Sequence, residues 1–345
     1  MHSSLAFVCS RKLEDGRKCM NRIVKNTRFR VLVFTILFIV SAFMLCVVSI
    51  HGKSDLPFLS GRLVYHSYTN YDNEDSQLYM YDFKTQKLSC ISDSFDGVHH
   101  CMNAMFHPMK EQITFMGISD SDQWDIFIYD DSEKTLRNVT HKRRGSHEDP
   151  KYSPDGSRIV FKETVGDICR ICEYSLMDHK FTILKSSREE LSMPYYSSDG
   201  ECIYYARGDG SHSKIMKLIR HKSTRLYRRK QIESYYPIAS EYGNTLYFSR
   251  WYSHKNHSDQ IYSLNLKKNN ATRLKFNKKN CDTSDFCEVS RKYAIVSSTR
   301  GNGTYDLYLV PIKGRKAINL NRYCKKINTK NNELGADYMP ADHTR

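Results

Sequence analysis

A strand-rich block recurs six times after residue 60, at a spacing of roughly 43–49 residues, and no other feature restricts the fold as tightly. Its clearest copy is Asp149-Pro150-Lys151-Tyr152-Ser153-Pro154-Asp155-Gly156-Ser157-Arg158-Ile159-Val160-Phe161. Pro at the first central position of the turn presets φ, and Gly accepts the positive φ of a tight reversal. Tyr, Val, Ile and Phe on either side suit a pleated, half-buried surface. Other copies read Ala104-Met105-Phe106-His107-Pro108, Pro194-Tyr195-Tyr196-Ser197-Ser198-Asp199-Gly200 and Pro237-Ile238-Ala239-Ser240-Glu241-Tyr242-Gly243. The sixth is degenerate, Phe286-Cys287-Glu288-Val289-Ser290.

Each unit continues into a third strand, such as Ile126-Phe127-Ile128-Tyr129 or Leu307-Tyr308-Leu309-Val310. A polar hairpin then leads to a fourth, such as Lys87-Leu88-Ser89-Cys90-Ile91. Four strands per unit make a blade, so the chain is expected to be an all-β, six-bladed β-propeller. The first unit starts at its second strand, Gly61-Arg62-Leu63-Val64-Tyr65. Gly335-Ala336-Asp337-Tyr338-Met339-Pro340 has the missing first-strand pattern. This C-terminal strand is therefore expected to complete the first blade and close the ring, removing exposed sheet edges.

The Ser-Pro-Asp-Gly turn between first and second strands resembles that of the TolB-like propeller family. The resemblance spans roughly residues 61–340 and is clearest from Tyr152 to Phe161. That family includes TolB, sugar-acting lyases and the propeller domains of prolyl oligopeptidases. The resemblance implies a six-bladed scaffold. It carries no catalytic residue across, because the shared motif is a turn. No Gly-x-Ser-x-Gly nucleophile elbow is present, and with the propeller pattern running to the end of the sequence no hydrolase half is expected.

Residues 31–50 form an uninterrupted apolar run, long enough to span a bilayer core at about 1.5 Å per residue. Eight Lys and Arg residues precede the run between Arg11 and Arg30, against Glu14 and Asp15 alone. The segment that follows, His51-Gly52-Lys53-Ser54-Asp55, is nearly neutral. The positive-inside rule then predicts a basic cytoplasmic tail (1–30) and a signal-anchor transmembrane helix (31–50). A linker (51–60) and an extracellular or lumenal propeller (61–345) follow. A cleaved signal peptide would have a shorter core and an Ala-x-Ala site. This compartment argues against nucleic acid as the partner of a chain of net charge +15.

Eight cysteines follow the apolar run, an even number that an oxidising compartment would let pair. Cys90 with Cys101, and Cys281 with Cys287, flank blade-to-blade loops and are the candidate disulfides. Cys169-Arg170-Ile171-Cys172 has redox or half-metal spacing, but it stands alone at a strand start and reads better as structural. Asn138, Asn256, Asn270 and Asn302 head glycosylation sequons.

The residues just before each first strand should rim one mouth of the channel. They are His99 and His100; His147, Glu148 and Asp149; Glu189 and Glu190; Glu233; Asp282 and Asp285; and Glu333 and Asp337. Such a ring could hold a divalent cation, an amine or a partner's basic terminus, or supply two carboxylates for work on a sugar. The alternative is that these groups cap loops and solvate the mouth. His107 and His254 add to the scattered histidines, in no defined metal-ligand spacing, so no resident cofactor or metal is expected. A second candidate face is basic: Lys214, Lys217, Arg220, Lys222, Arg225, Arg228, Arg229 and Lys230. Residues 61–345 carry 44 Lys and Arg against 35 Asp and Glu, which suits an anionic polysaccharide. Asp120-Ser121-Asp122 looks like a glycosyltransferase motif but lies between propeller strands. The expected function is binding or scaffolding of a polysaccharide or a partner protein. A glycan-acting enzyme, lyase or hydrolase, is the alternative, and a sensor coupled through the basic tail is a third reading.

Overall fold

The chain builds six four-stranded antiparallel sheets. The computed structural model describes residues 56–119 and 122–341. The expected tail and transmembrane segment lie outside that range, as do Asp120 and Ser121. Among the described residues no helix is long and apolar enough to cross a membrane.

Blade 1 sets Asn332–Met339 innermost, then Arg62–Tyr68, Gln77–Asp82 and Lys87–Cys90. Blade 2 is His99–Phe106, Gln112–Ile118, Trp124–Asp130 and Thr135–Asn138. Blade 3 is Ser146–Tyr152, Arg158–Val165, Ile168–Ser175 and Phe181–Ser187. Blade 4 is Leu191–Tyr196, Ile203–Arg207, Lys214–Ile219 and Lys222–Tyr227. Blade 5 is Ser234–Ala239, Thr245–Ser253, Asn256–Asn265 and Asn270–Arg273. Blade 6 is Thr283–Glu288, Tyr293–Ser298, Asp306–Pro311 and Ile318–Asn319.

The C-terminal strand closes the ring as the repeat predicts. Arg62 opposes Met339, Leu63 opposes Tyr338 and Tyr68 opposes Asn332. Tyr338 Oη donates to the Ser60 carbonyl. Gly61 sits at φ +95°, where a Cβ would run into the Met339 carbonyl, so only glycine lets the two ends meet. The sheets pack face to face. Between blades 1 and 2 lie Val64, Leu78, Phe106, Phe115 and Phe127, all buried. Phe115 stacks on Phe95 and Phe127 at 5.2 and 5.3 Å. Burying such a side chain contributes about 1.5–3 kcal/mol.

The Ser-Pro-Asp-Gly block is turn chemistry. Ser153 Oγ donates to Asp155 Oδ1 at 2.5 Å and accepts from Arg158 N–H at 3.0 Å. Gly156 N–H closes on the Ser153 carbonyl at 2.8 Å. Ser197 and Asp199 repeat the arrangement in blade 4 at 2.6 Å. Gly156 also lets blade 2 approach: a Cβ there would run into the His107 ring, whose Nε2 is 3.1 Å from the Gly156 carbonyl.

One backbone feature has no counterpart in the sequence reading. Every innermost strand carries a β-bulge against its neighbour. Each strand has a left-handed residue at its bulge, Gly335, Asn103, Asp149, Met193, Tyr236 and Asp285, at φ from 51° to 59°, and the blade 2 strand has a second bulge with His100 at φ 50°. Such a conformation costs a non-glycine residue on the order of 1–3 kcal/mol. Bonds between blades offset it. Asn103 Nδ2 donates to Asp149 Oδ1 at 2.9 Å, and Met193 N–H donates to the same carboxylate. Gly335 N–H reaches Asp285 Oδ2 at 3.3 Å.

Candidate functional site

The six innermost strands define two mouths, a leading mouth where they begin and a turn mouth where they end. The leading mouth holds most of the sequence-predicted ring, and most of those residues are engaged in bonds within or between blades. His147 is fully buried, with Nδ1 3.5 Å from Asp125 and Nε2 3.5 Å from Glu163. Glu163 also receives Arg143 and Arg170. Burial alone would lower the pKa of His147, but its two carboxylate partners raise it. Burial likewise pushes Glu163 up, and the bonds from His147, Arg170 and Arg143 outweigh it, holding the carboxyl at about 2.

Lys162 joins Glu148 at 3.3 Å and Glu190 at 2.8 Å, and Glu190 also receives the Cys169 thiol at 3.1 Å. Glu189 pairs with Arg207 and Lys214. Glu233 accepts Gly210 N–H, and Asp282 accepts Asp259 N–H. His100 is buried against Trp124, and burial lowers its pKa. His99 lies exposed 3.8 Å from Glu74, and His254 is exposed. Most of the charges expected to converge at this mouth are thus held in ion pairs and hydrogen bonds, some within a blade (Lys162 with Glu148) and some between blades (His147 with Asp125, Lys162 with Glu190). Among the described residues no group of His, Cys, Asp or Glu is placed to hold a metal ion.

Glu333 is buried in this layer, accepting from Ser67 at 3.0 Å and Thr329 at 2.7 Å, while its Oε2 has no partner. Burial raises its pKa to about 7. A carboxyl raised on folding costs nothing below its unfolded value near 4.5 and its full amount above about 7. Glu333→Gln should therefore stabilise the fold above pH 7, by on the order of 2–3 kcal/mol, and leave it unchanged near pH 4.5. Chemical denaturation of both proteins across that range measures the difference; a variant less stable at pH 8 contradicts it.

The turn mouth opens into a cavity of about 630 Å³. All six innermost strands reach it with their last residues. Six tyrosines line it: Tyr152, Tyr195, Tyr196, Tyr236, Tyr242 and Tyr338. Its charged groups are Lys151, Glu241, Asp285, Glu288 and Asp337. Asp337 Oδ2 accepts Phe106 N–H at 2.8 Å. Glu288 accepts Ser240 Oγ and Glu241 N–H, each at 3.0 Å. Burial raises the pKa of Asp285, and the Lys151 charge works against that rise. Lys151 Nζ lies 5.9 Å from the Tyr236 ring centre. Of the predicted ring only Asp285 and Asp337 line this cavity. Phe106, Tyr152 and Tyr196 close three of the first strands and Tyr338 stands one before the end of a fourth, but no local signal in the sequence shows that these strand ends meet around one cavity.

The eight cysteines are free thiols, so neither Cys90–Cys101 nor Cys281–Cys287 is formed. Cys101 lies in the core between blades 1 and 2, Cys90 donates to Asp93 at 3.2 Å, and Cys287 faces the cavity. Cys169 and Cys172 pack into different inter-blade cores, because residues three apart on a strand face opposite ways. Asn270 and Asn302 are exposed, whereas the Asn138 and Asn256 amides donate to Asp125 and Asn280. On the basic face Arg220, Lys222, Arg225, Arg228, Arg229 and Lys230 are exposed on the outer edge of blade 4. Lys214 is paired with Glu189, and Lys217 is half-buried.

The sequence of residues 56–234 matches the family described as TolB beta propeller domain. TolB from Acinetobacter baumannii superposes with a TM-score of 0.58 at 13% identity, covering 81% of this chain and 67% of its own. Hydrazine synthase from Kuenenia stuttgartiensis gives 0.66 at 10%, covering 81% of this chain and 46% of its own. The chain thus spans less than half of that protein. Oligogalacturonate lyase from Vibrio parahaemolyticus gives 0.52 at 10%, covering 75% and 78%. At these identities the likeness is one of fold. No curated protein matches the sequence.

Proposed function

This chain belongs to the TolB β-propeller domain family, and from that premise we propose that it is a membrane-anchored, extracytoplasmic binding module whose turn mouth receives a protein partner. The observation that carries this reading is the 630 Å³ cavity on which all six innermost strands converge. It is concave, largely aromatic and furnished with a few polar groups, as ligand sites are. The apolar run 31–50, with its basic leading flank, supports the anchor and the placement of the propeller outside the cytoplasm. The carboxylates that a glycan-acting enzyme would use at the leading mouth are held in ion pairs. The six exposed cations of blade 4 support a second contact, with an anionic polysaccharide.

Site-specific photocrosslinking in intact cells tests the first contact. A crosslinker at Tyr242 or Met109, both exposed by the turn mouth, should trap a discrete protein that a crosslinker at Lys268 on the outer edge of blade 5 does not. The same pattern from all three positions would overturn the assignment of the mouth as the contact.

A further inference from the structure

The charge of the cavity runs against the charge of the protein. Residues 61–345 have nine more cations than anions, yet the cavity lining has four carboxylates and one ammonium. Those carboxylates come from three neighbouring blades: Glu241 from blade 5, Asp285 and Glu288 from blade 6, and Asp337 from blade 1. No arginine lines the cavity, and Arg291 lies outside over the Tyr242 ring at 5.4 Å. His107 adds no positive charge near neutral pH, since burial lowers its pKa to about 4.

Tyr236 supplies an independent sign of a missing ligand. It is 9% exposed, lines the cavity and, among the described residues, makes no hydrogen bond through its hydroxyl. A buried phenol ordinarily finds a partner. Its ring already faces one cation, Lys151 Nζ, itself 8% exposed and without a salt bridge. Lys151 acts electrostatically on Asp149 and Asp285, favouring their charged forms against the effect of burial. The other lining carboxylates are Asp337, Glu241 and Glu288. Aromatic faces attract cations, and a planar guanidinium both stacks on tyrosine and bonds carboxylates in pairs.

We propose that the turn-mouth cavity recognises an arginine side chain presented by the partner protein. The guanidinium stacks among the tyrosines and meets the carboxylates of blades 5, 6 and 1, with Lys151 limiting how deeply it enters. This deepens the binding reading above and rests on it.

Calorimetry with the full-length chain tests it, using capped pentapeptides that differ only at a central arginine, glutamine or glutamate. The arginine peptide should bind best, and its affinity should fall as salt is raised. Asp337→Asn, which keeps an acceptor for Phe106 N–H, should weaken it about tenfold. Lys151→Gln should tighten it by a similar factor, a gain that a merely structural lysine would not give. Preference for the glutamate peptide, lost in Lys151→Gln, would overturn the inference by reversing its sign. Equal binding of all three peptides, indifferent to both substitutions, would overturn it while leaving the cavity as a protein-binding site. If no peptide binds and the Tyr242 crosslinker traps no partner, both readings fall.

Discussion

Deletion of residues 332–345 is expected to abolish the folded propeller. The strand Asn332–Met339 pairs with Arg62–Tyr68 along its length and buries Ala336, Tyr338 and Met339. Two large side chains at about 1.5–3 kcal/mol each already rival a typical net stability of about 5–15 kcal/mol. The loss does not stop at burial. Phe106 N–H loses the Asp337 carboxylate, and Val64-Tyr65-His66, buried in the intact ring, becomes part of an open sheet edge. Such an edge templates association. Size-exclusion chromatography should show aggregates in place of a monomer. A synthetic peptide of residues 332–341 added during refolding should recover part of it, by refilling the vacant strand position. A monomer that melts cooperatively within a few degrees of the parent would show that blade 1 is complete without this strand.

Glu163→Ala is expected to cost about 3–5 kcal/mol at pH 7, because it leaves buried positive charge without its counter-ion. Glu163 receives Arg143 and Arg170 and lies 3.5 Å from His147 Nε2. Its folded pKa of about 2 lies below its unfolded value near 4.5. The carboxylate's contribution is therefore present above about pH 4.5 and lost as pH falls through 2. His147 runs the other way. Its pKa is raised on folding, so its contribution is complete below 6.5 and lost as pH rises through the folded value. The deficit of the variant should thus be widest near pH 5–6 and shrink toward pH 2 and at alkaline pH. Denaturant midpoints across that range read it out. A variant that unfolds at the parent's midpoint at pH 7 would mean that solvent replaces the carboxylate.

The blade count and the closing strand were legible because they depend on local turn chemistry and strand period. Ser153, Asp155 and Gly156 satisfy one another within five residues, so their pattern is visible in a single copy. The site was less legible. Glu233 and Asp282 look unpartnered in sequence because their partners, Gly210 N–H and Asp259 N–H, lie more than twenty residues away. His147 meets Asp125 only when blades 2 and 3 pack. A polar residue before a strand therefore reads as a ligand-binding group until the neighbouring blade is in place. The converse misled at the turn mouth. Tyr195, Tyr236 and Tyr242 read as strand and turn residues, and nothing local shows that six strand ends surround one hollow. The cysteine pairings failed for a simpler reason. Closeness along the chain does not bring Cys90 and Cys101 into bonding position, because one lies on the outer strand of its blade and the other on the innermost strand of the next.

The left-handed bulge shared by all six innermost strands separates backbone from chemistry. Each innermost strand makes the same detour, yet the residues there are glycine, asparagine, aspartate, methionine, tyrosine and aspartate. The detour recurs whatever side chain it carries, but its positions are geared to one another across blades, Asn103 and Met193 to Asp149 and Gly335 to Asp285. Any selectivity written into such a throat would therefore shift by neighbouring blades together while the scaffold stays the same.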